Sequence, residues 1–243
     1  MEKEILIIKN TSIEGPGLLL SELKYSNIKY SIIDLSRKEK LPNPENFAAV
    51  IVLGGQDSAN DNTDKIKNEL IFVKKVISSQ IPYLGICLGL QILVKATGGK
   101  VINCPVKEIG FKDIKGKHYS VTLTNKGEKD PLFINLDQTL NVFHLHSETV
   151  ELTDDMTLLA AGRYCKNQIV KVGLNAYGIQ GHFELTPEMF DFWIKTDPEL
   201  SRINQTQIRK DFKSIQKKYT ETGRFLFRNF LKLISKYSTS APV

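Results

Sequence analysis

The stretch Ile81 to Gly99, IPYLGICLGLQILVKATGG, holds the residue best suited to covalent chemistry. Cys87 falls between Ile81 to Ile86, which reads as a buried strand, and Leu88 to Thr97, which reads as a helix. Gly85 and Gly89 stand on either side of it. Glycines at those positions permit a sharp strand-to-helix turn that exposes the central side chain above the sheet edge, as in a nucleophile elbow. The positive end of the following helix favours a thiolate. The backbone N–H of Leu88 would face an oxyanion formed at a reacting carbonyl. A small buried hydrophobe is the bland alternative for Cys87, and it is the reading given to Cys104 and Cys165, which lack this context. A nucleophilic thiol needs a base and a group to orient that base. In Tyr177 to Glu188, YGIQGHFELTPE, His182 and Glu184 are two residues apart at the end of an apolar strand, so both can point the same way. A carboxylate beside an imidazole fixes its tautomer and stabilises the imidazolium formed in catalysis.

Taken together, Gly85-Ile86-Cys87-Leu88-Gly89-Leu90-Gln91 and His182-Phe183-Glu184 resemble the class I, or triad, glutamine amidotransferases. The resemblance spans roughly residues 1–194 and is nearest to free-standing proteins similar to the glutaminase domain of GMP synthase. Leu53-Gly54-Gly55-Gln56-Asp57-Ser58 sits where that family has its Gly-Gly oxyanion loop, and His146-Ser147-Glu148-Thr149 resembles its His-Gly-Asp segment. The resemblance implies Cys87 as nucleophile, His182 as base and acid, and Glu184 as orienter. It implies an oxyanion hole from the amides of Gly55 and Leu88, with Gly54, Gln91, His146 and Ser147 contacting substrate. Gln56 departs from the family's usual proline, Gly181 and Phe183 from its Phe and Pro, and Ser147 and Glu148 from its Gly and Asp. The implied reaction releases ammonia from the glutamine side chain through a γ-glutamyl thioester, with no cofactor. A separate synthetase or acceptor subunit is the implied partner, since no part of the sequence is left for a synthetase domain. A γ-glutamyl peptidase using the same triad is the alternative, and a non-catalytic binding protein of this fold ranks below both.

Elements able to position these residues are legible in the hydrophobic pattern. Ile5 to Ile8, Tyr30 to Leu35, Ala48 to Leu53 and Ile81 to Ile86 read as strands. Gly17 to Tyr25 and Thr63 to Ser79 read as helices, the second N-capped by Thr63 with Ile66, Leu70, Val73 and Ile77 on one face. Such alternation predicts an α/β fold, an open and mostly parallel sheet with helices on both faces; by resemblance it is the flavodoxin-like amidotransferase fold. Beyond residue 100, closely spaced strands at Val101 to Ile102, Tyr119 to Leu123, Leu140 to Leu145, Leu158 to Ala161, Ile169 to Val172 and Ala176 to Phe183 predict an antiparallel extension. Helices follow from Pro187, with Phe192 and Trp193 as core anchors.

The 243 residues, 41% hydrophobic and 25% charged, exclude a disordered chain. No apolar run is long enough to span a membrane, the N-terminus lacks a signal-peptide pattern, and three scattered cysteines make no disulfide framework. A cytoplasmic protein is expected. The net charge of +6 is concentrated: residues 1–194 hold 22 Lys and Arg against 23 Asp and Glu, and residues 195–243 hold 11 against 4. That last segment reads as a basic, amphipathic helical extension packed on the domain formed by residues 1–194, with solvated lysines. Docking of an acidic partner is the second reading, and no nucleic-acid motif accompanies the charge. Gly54 to Ser58 also fits part of a pyrophosphatase loop, but Leu53 replaces its leading serine. Gly15-Pro16-Gly17 lacks the third glycine of a dinucleotide fingerprint; by resemblance, Glu14 and Gly15 lie near the active-site mouth. His144 and His146 could ligate a metal, but no third ligand stands at a telling spacing, so no metal is expected.

Overall fold

The computed structural model describes residues 3–239, with side chains through Ser235. Met1, Glu2 and the end of the basic segment lie outside the described residues. In chain order the strands are β1 (Ile5–Lys9), β2 (Tyr30–Asp34), β3 (Ala49–Val52), β4 (Tyr83–Ile86), β5 (Lys100–Gly110), β6 (Ser120–Leu123), β7 (Thr139–Asn141), β8 (His144–Glu151), β9 (Met156–Gly162), β10 (Asn167–Val172) and β11 (Ala176–Ile179). The α-helices are α1 (Gly17–Tyr25), α2 (Asp64–Ser78), α3 (Leu88–Ala96), α4 (Pro187–Thr196) and α5 (Gln205–Thr239). One nine-stranded sheet runs β2-β1-β3-β4-β11-β10-β9-β6-β7. It is parallel from β2 through β11 and antiparallel from there to β7. This is the mixed α/β architecture that the pattern predicted.

The alternation of side chains along a strand explains the two layers. Ile5, Ile7, Ala49 and Ile51 face α1 and the C-terminal half of α5, where Leu18, Leu19, Leu23, Phe227 and Phe230 close one core. Leu6, Ile8, Val50 and Val52 face α2 and α3, where Ile66, Val73, Leu90 and Leu93 close the other. Thr63 caps α2, its side chain accepting from the Ile66 N–H. The buried residues of α2 are Ile66, Glu69, Phe72, Val73 and Val76, so its inner face is rotated from the expected one: Leu70 and Ile77 are only partly buried.

Other sequence expectations are corrected. The pair Val101–Ile102 belongs to an eleven-residue strand, β5, which lies outside the main sheet and forms a ribbon with β8. Leu140 to Leu145 is two strands, β7 and β8, because Val142 and Phe143 turn the chain from the sheet to the ribbon. Ala176 to Phe183, expected in the antiparallel extension, instead supplies the last strand of the parallel half, because β11 pairs parallel with β4. That strand stops at Ile179, and His182 lies beyond it in an isolated bridge with Phe143. Trp193 is buried, but Phe192 is 49% exposed.

α5 is one helix of 35 residues. Ile208, Phe212 and Tyr219 join Phe111, Phe143, Phe190 and Trp193 in a third core beside α4. Several basic residues of this segment pair with the rest of the chain: Arg228 and Arg224 with buried Glu22 of α1, Lys218 with Asp137, and Arg209 with Asp191. Among the described residues no helix is long and apolar enough to cross a membrane.

Candidate active site

β1, β3, β4 and β11 end on the same edge of the parallel half, the edge where open α/β sheets present binding residues. The turn after β4 is fixed by close backbone packing. A Cβ on Gly85 would lie 2.4 Å from the Gly89 carbonyl carbon, and one on Gly89 would lie 2.3 Å from the Val52 oxygen. Cys87 takes up the turn with φ of +50° and ψ of −106°, a strained conformation for a residue with a side chain. The Cys87 N–H donates to the Ile179 carbonyl at 2.7 Å, tying the elbow to β11. Leu88 opens α3, so its N–H has no intrahelical acceptor. Gly55, leaving β3, adjoins it: a Cβ there would sit 3.1 Å from Leu88 Cδ2 and 2.6 Å from Asn10 Cβ.

His182 and Glu184 reach the same place from the segment after β11. His182 Nδ1 lies 2.6 Å from Glu184 Oε1, and both residues are buried. The backbone of His182 is held on both sides, its N–H donating to Phe143 O at 2.8 Å and its carbonyl accepting from Phe143 N at 3.3 Å. Trp193 packs on the imidazole with ring centroids 5.1 Å apart. The Glu184 carbonyl accepts from Leu18 N at the start of α1. Burial alone would lower the basicity of His182, but the Glu184 carboxylate, hydrogen bonded to Nδ1, and the neighbouring Cys87 sulfur raise its pKa well above 6.5. With Nδ1 occupied by Glu184, Nε2 is the nitrogen left for Cys87.

A cavity of about 490 Å³ opens beside Cys87, and Glu14, Gly55, Gln91, His146 and Ser147 are among its walls. Gln91 Nε2 donates to the Glu148 carbonyl at 3.4 Å, and His146 Nδ1 lies 3.1 Å from the same oxygen. Gly54 stands behind, where a Cβ would meet Glu14 Oε2 at 2.2 Å and His182 Cε1 at 3.3 Å. The sequence-predicted residues therefore gather at one end of the sheet, with His182 and Glu184 buried there. The dinucleotide-like stretch is used otherwise: Pro16 and Gly17 start α1 against Glu184. In the pyrophosphatase-like loop, Asp57 pairs with Lys65.

Two contributors, Gln180 and Tyr219, lay beyond reach of the sequence reading, and a third, Glu14, was placed only near the site's mouth. Gln180 approaches Cys87, its Nε2 3.8 Å from Sγ. The Tyr219 hydroxyl, from α5, donates to the His182 carbonyl at 2.9 Å and accepts from Leu185 N at 3.3 Å. Glu14 carries a buried, unpartnered Oε2, and burial, with Glu184 nearby, raises its pKa from 4.5 to about 7 against the pull of His182. Glutamine and tyrosine carry no spacing signal for such contacts.

Next to the cavity, β5 and β8 bring a second polar cluster together. Cys104 Sγ lies 3.4 Å from His146 Nδ1, while His146 Nε2 lies 3.2 Å from both Glu108 Oε2 and His144 Nδ1. Cys165, from the β9–β10 turn, completes a group with Cys104 and His146 whose ligand atoms lie within 4.8 Å of one another. Interaction between the neighbouring sulfurs holds the Cys104 thiol down to about 6 and pushes Cys165 up. Burial opposes the charge on His146, but Cys104 and Glu108 raise its pKa to about 9, whereas burial holds His144 well below 6.5. The histidine pair thus has the companions that sequence spacing did not reveal.

A strained cysteine at the mouth of an α/β sheet, near a His–carboxylate pair, has the arrangement that thiol-nucleophile chemistry requires. Comparison with known proteins refines that reading. Residues 17–194 match the family model "Glutamine amidotransferase class-I", and the chain belongs to that family. It is 34% identical over 152 residues to the glutamine amidotransferase-like protein YfeJ of Salmonella typhimurium, a match covering 60% of this chain and 61% of YfeJ. The matched stretch therefore spans less than two thirds of YfeJ. A glutamine-hydrolyzing GMP synthase subunit from Saccharolobus solfataricus is 26% identical over 222 residues, covering 90% of this chain and 93% of that protein. A glutamine amidotransferase structure from Thermotoga maritima superposes with a TM-score of 0.82 at 26% identity, covering 96% of this chain and 98% of that one. A glutamine amidotransferase structure from Methylobacillus flagellatus shares the fold, with a TM-score of 0.85 at 22% identity and coverage of 96% and 95%.

Proposed function

We propose that the protein is a glutaminase-type thiol enzyme in which Cys87, His182 and Glu184 cleave the side-chain amide of glutamine. The observation that carries this reading is a positive-φ Cys87 elbow on the cavity wall with the buried His182–Glu184 pair next to its sulfur. The Cys87 thiolate attacks the carboxamide carbon, and the carbonyl electrons move onto oxygen. The Gly55 and Leu88 N–H groups stabilise that oxyanion. Collapse expels the amide nitrogen, which takes the proton from His182 Nε2 and leaves as ammonia. The γ-glutamyl thioester remains. Water then adds to the thioester carbonyl while His182 takes its proton, and expulsion of the Cys87 thiolate releases glutamate. Glu184 holds the ring tautomer and offsets the imidazolium charge throughout. Gln91, His146, Ser147 and Gly54 orient the amino-acid end of the substrate.

Ammonia from such a reaction needs an acceptor, and likeness to a GMP synthase subunit supports a separate synthetase as partner. A second reading, hydrolysis of γ-glutamyl conjugates, is favoured by one observation. The cavity of about 490 Å³ lies within the range that buries drug-sized ligands and has room beyond a free amino acid. Glutamate release from glutamine and from a panel of γ-glutamyl peptides, for the wild type and Cys87→Ala, tests both. Cys87-dependent turnover of glutamine supports the glutaminase, and faster turnover of the peptides supports the hydrolase. Turnover that survives in Cys87→Ala overturns both.

A further inference from the structure

We propose that Cys104, Cys165 and His146 form a binding site for a thiophilic divalent cation of the zinc type, with Glu108 steadying the imidazole from its far side. The two sulfurs and a ring nitrogen lie within 4.8 Å of one another. Bonds of about 2.3 Å to sulfur and about 2.0 Å to nitrogen would set tetrahedral ligand atoms roughly 3.5–3.8 Å apart. Cys104 Sγ and His146 Nδ1 stand at 3.4 Å without an ion, so small side-chain movements complete the set.

The far side of the ring is already built. Glu108 Oε2 lies 3.2 Å from His146 Nε2 and accepts from Gln168 Nε2 at 3.1 Å, and both Glu108 and Gln168 are buried. A carboxylate on the second imidazole nitrogen is the usual support of a metal-bound histidine. Binding exchanges the contact of Nδ1 with the Glu148 carbonyl for a metal bond, and the protons held on the two thiols and on Nδ1 pass to solvent. Cys104 is only partly buried, which leaves a path for the ion and room for water as fourth ligand. His146 also lines the cavity beside Cys87, so an ion here would immobilise a ring on the candidate active-site wall.

The test is binding and does not depend on turnover. Full-length protein, reduced and stripped with a chelator, is titrated with Co²⁺. One equivalent is expected to give tetrahedral d–d bands with sulfur-to-cobalt charge transfer, and Zn²⁺ is expected to displace it. Glu108→Gln should weaken the affinity roughly 10- to 100-fold. Cys165→Ser should lose part of the charge-transfer intensity. Because Cys165 is fully buried, Cys104→Ala serves as a second variant should that one fail to fold. Absence of charge transfer, or a spectrum unchanged in the cysteine variants, overturns the proposal. So does a Cys104–Cys165 disulfide that forms in air and persists with metal present.

Discussion

Replacing Tyr219 by Phe isolates one oxygen atom that links the C-terminal helix to the candidate catalytic segment. The ring is fully buried among Phe111, Phe212 and Phe183, and phenylalanine keeps all of those contacts. What disappears is the hydroxyl that donates to His182 O and accepts from Leu185 N. His182 O keeps a second donor in Phe143 N, so the main loss falls on the Leu185 N–H, which is left buried. A buried polar group without a partner costs about 1–3 kcal/mol, and about 2 kcal/mol is the expected loss of stability. For a chain of this size that lowers Tm by roughly 4–8 °C. Urea and thermal unfolding of both proteins measure it. Because the Phe143 bridge still fixes the His182 backbone, kcat for glutamate release should fall by much less than the order of 100-fold that a 1 Å misplacement produces. An unchanged urea midpoint would refute the bridging role of the hydroxyl. A 100-fold loss of kcat with unchanged KM would show that α5, rather than Phe143, sets the position of His182.

Three further outcomes are expected. Gly85→Ala sets a Cβ 2.4 Å from the Gly89 backbone, where no flexible side chain can yield; it should cost at least the 1–3 kcal/mol typical of overpacking, and thiol labelling should show a displaced Cys87. Glu184→Gln removes the carboxylate that raises His182. A raised histidine contributes stability that is full below about pH 6.5 and is lost as pH rises through the raised value, so the variant should be less stable near pH 6 and flatter above it. Its kcat should fall by several orders of magnitude, about 10⁴ being the loss for the matching change in a Ser–His–Asp triad; a wild-type urea–pH profile would contradict the pairing. Glu14, an acid whose value is raised, gives a pH dependence of the same sign. Its folded value of about 7 exceeds the ordinary 4.5, so the folded chain holds a proton that the unfolded chain releases, and stability falls as pH rises from about 4.5 through 7. Glu14→Gln should flatten that fall in urea midpoints, and an unaltered slope would count against the buried carboxyl.

The basic C-terminal segment shows how charge counting and packing diverge. Its surplus of positive charge suggested solvated lysines or a docking face, yet Arg224 and Arg228 serve buried Glu22, and Phe227 and Phe230 fill the core over the parallel sheet. Truncating this helix would uncover that core, so substitutions of its surface lysines outside these ion pairs, among the described residues, are the cleaner probe of partner docking.

Local rules were enough for much of this protein. Continuous apolar runs in β1, β3 and β4, a Thr63 cap, and glycines flanking Cys87 each act over a few residues, and the two-residue spacing of His182 and Glu184 already allowed them to pair. The parallel α/β core and the elbow were therefore readable in the chain. Other features needed distant segments to meet. Nothing near Cys104 in sequence announces Cys165 or His146, because the three arrive on β5, β8 and the β9–β10 turn. Tyr219 reaches His182 across 37 residues, and the Glu14 Oε2 is buried where Gly54, from a distant strand end, packs against it. Side-chain period and turn chemistry act along the chain, whereas burial, orphaned polar atoms and convergent ligands arise only when the sheet order brings its ends together.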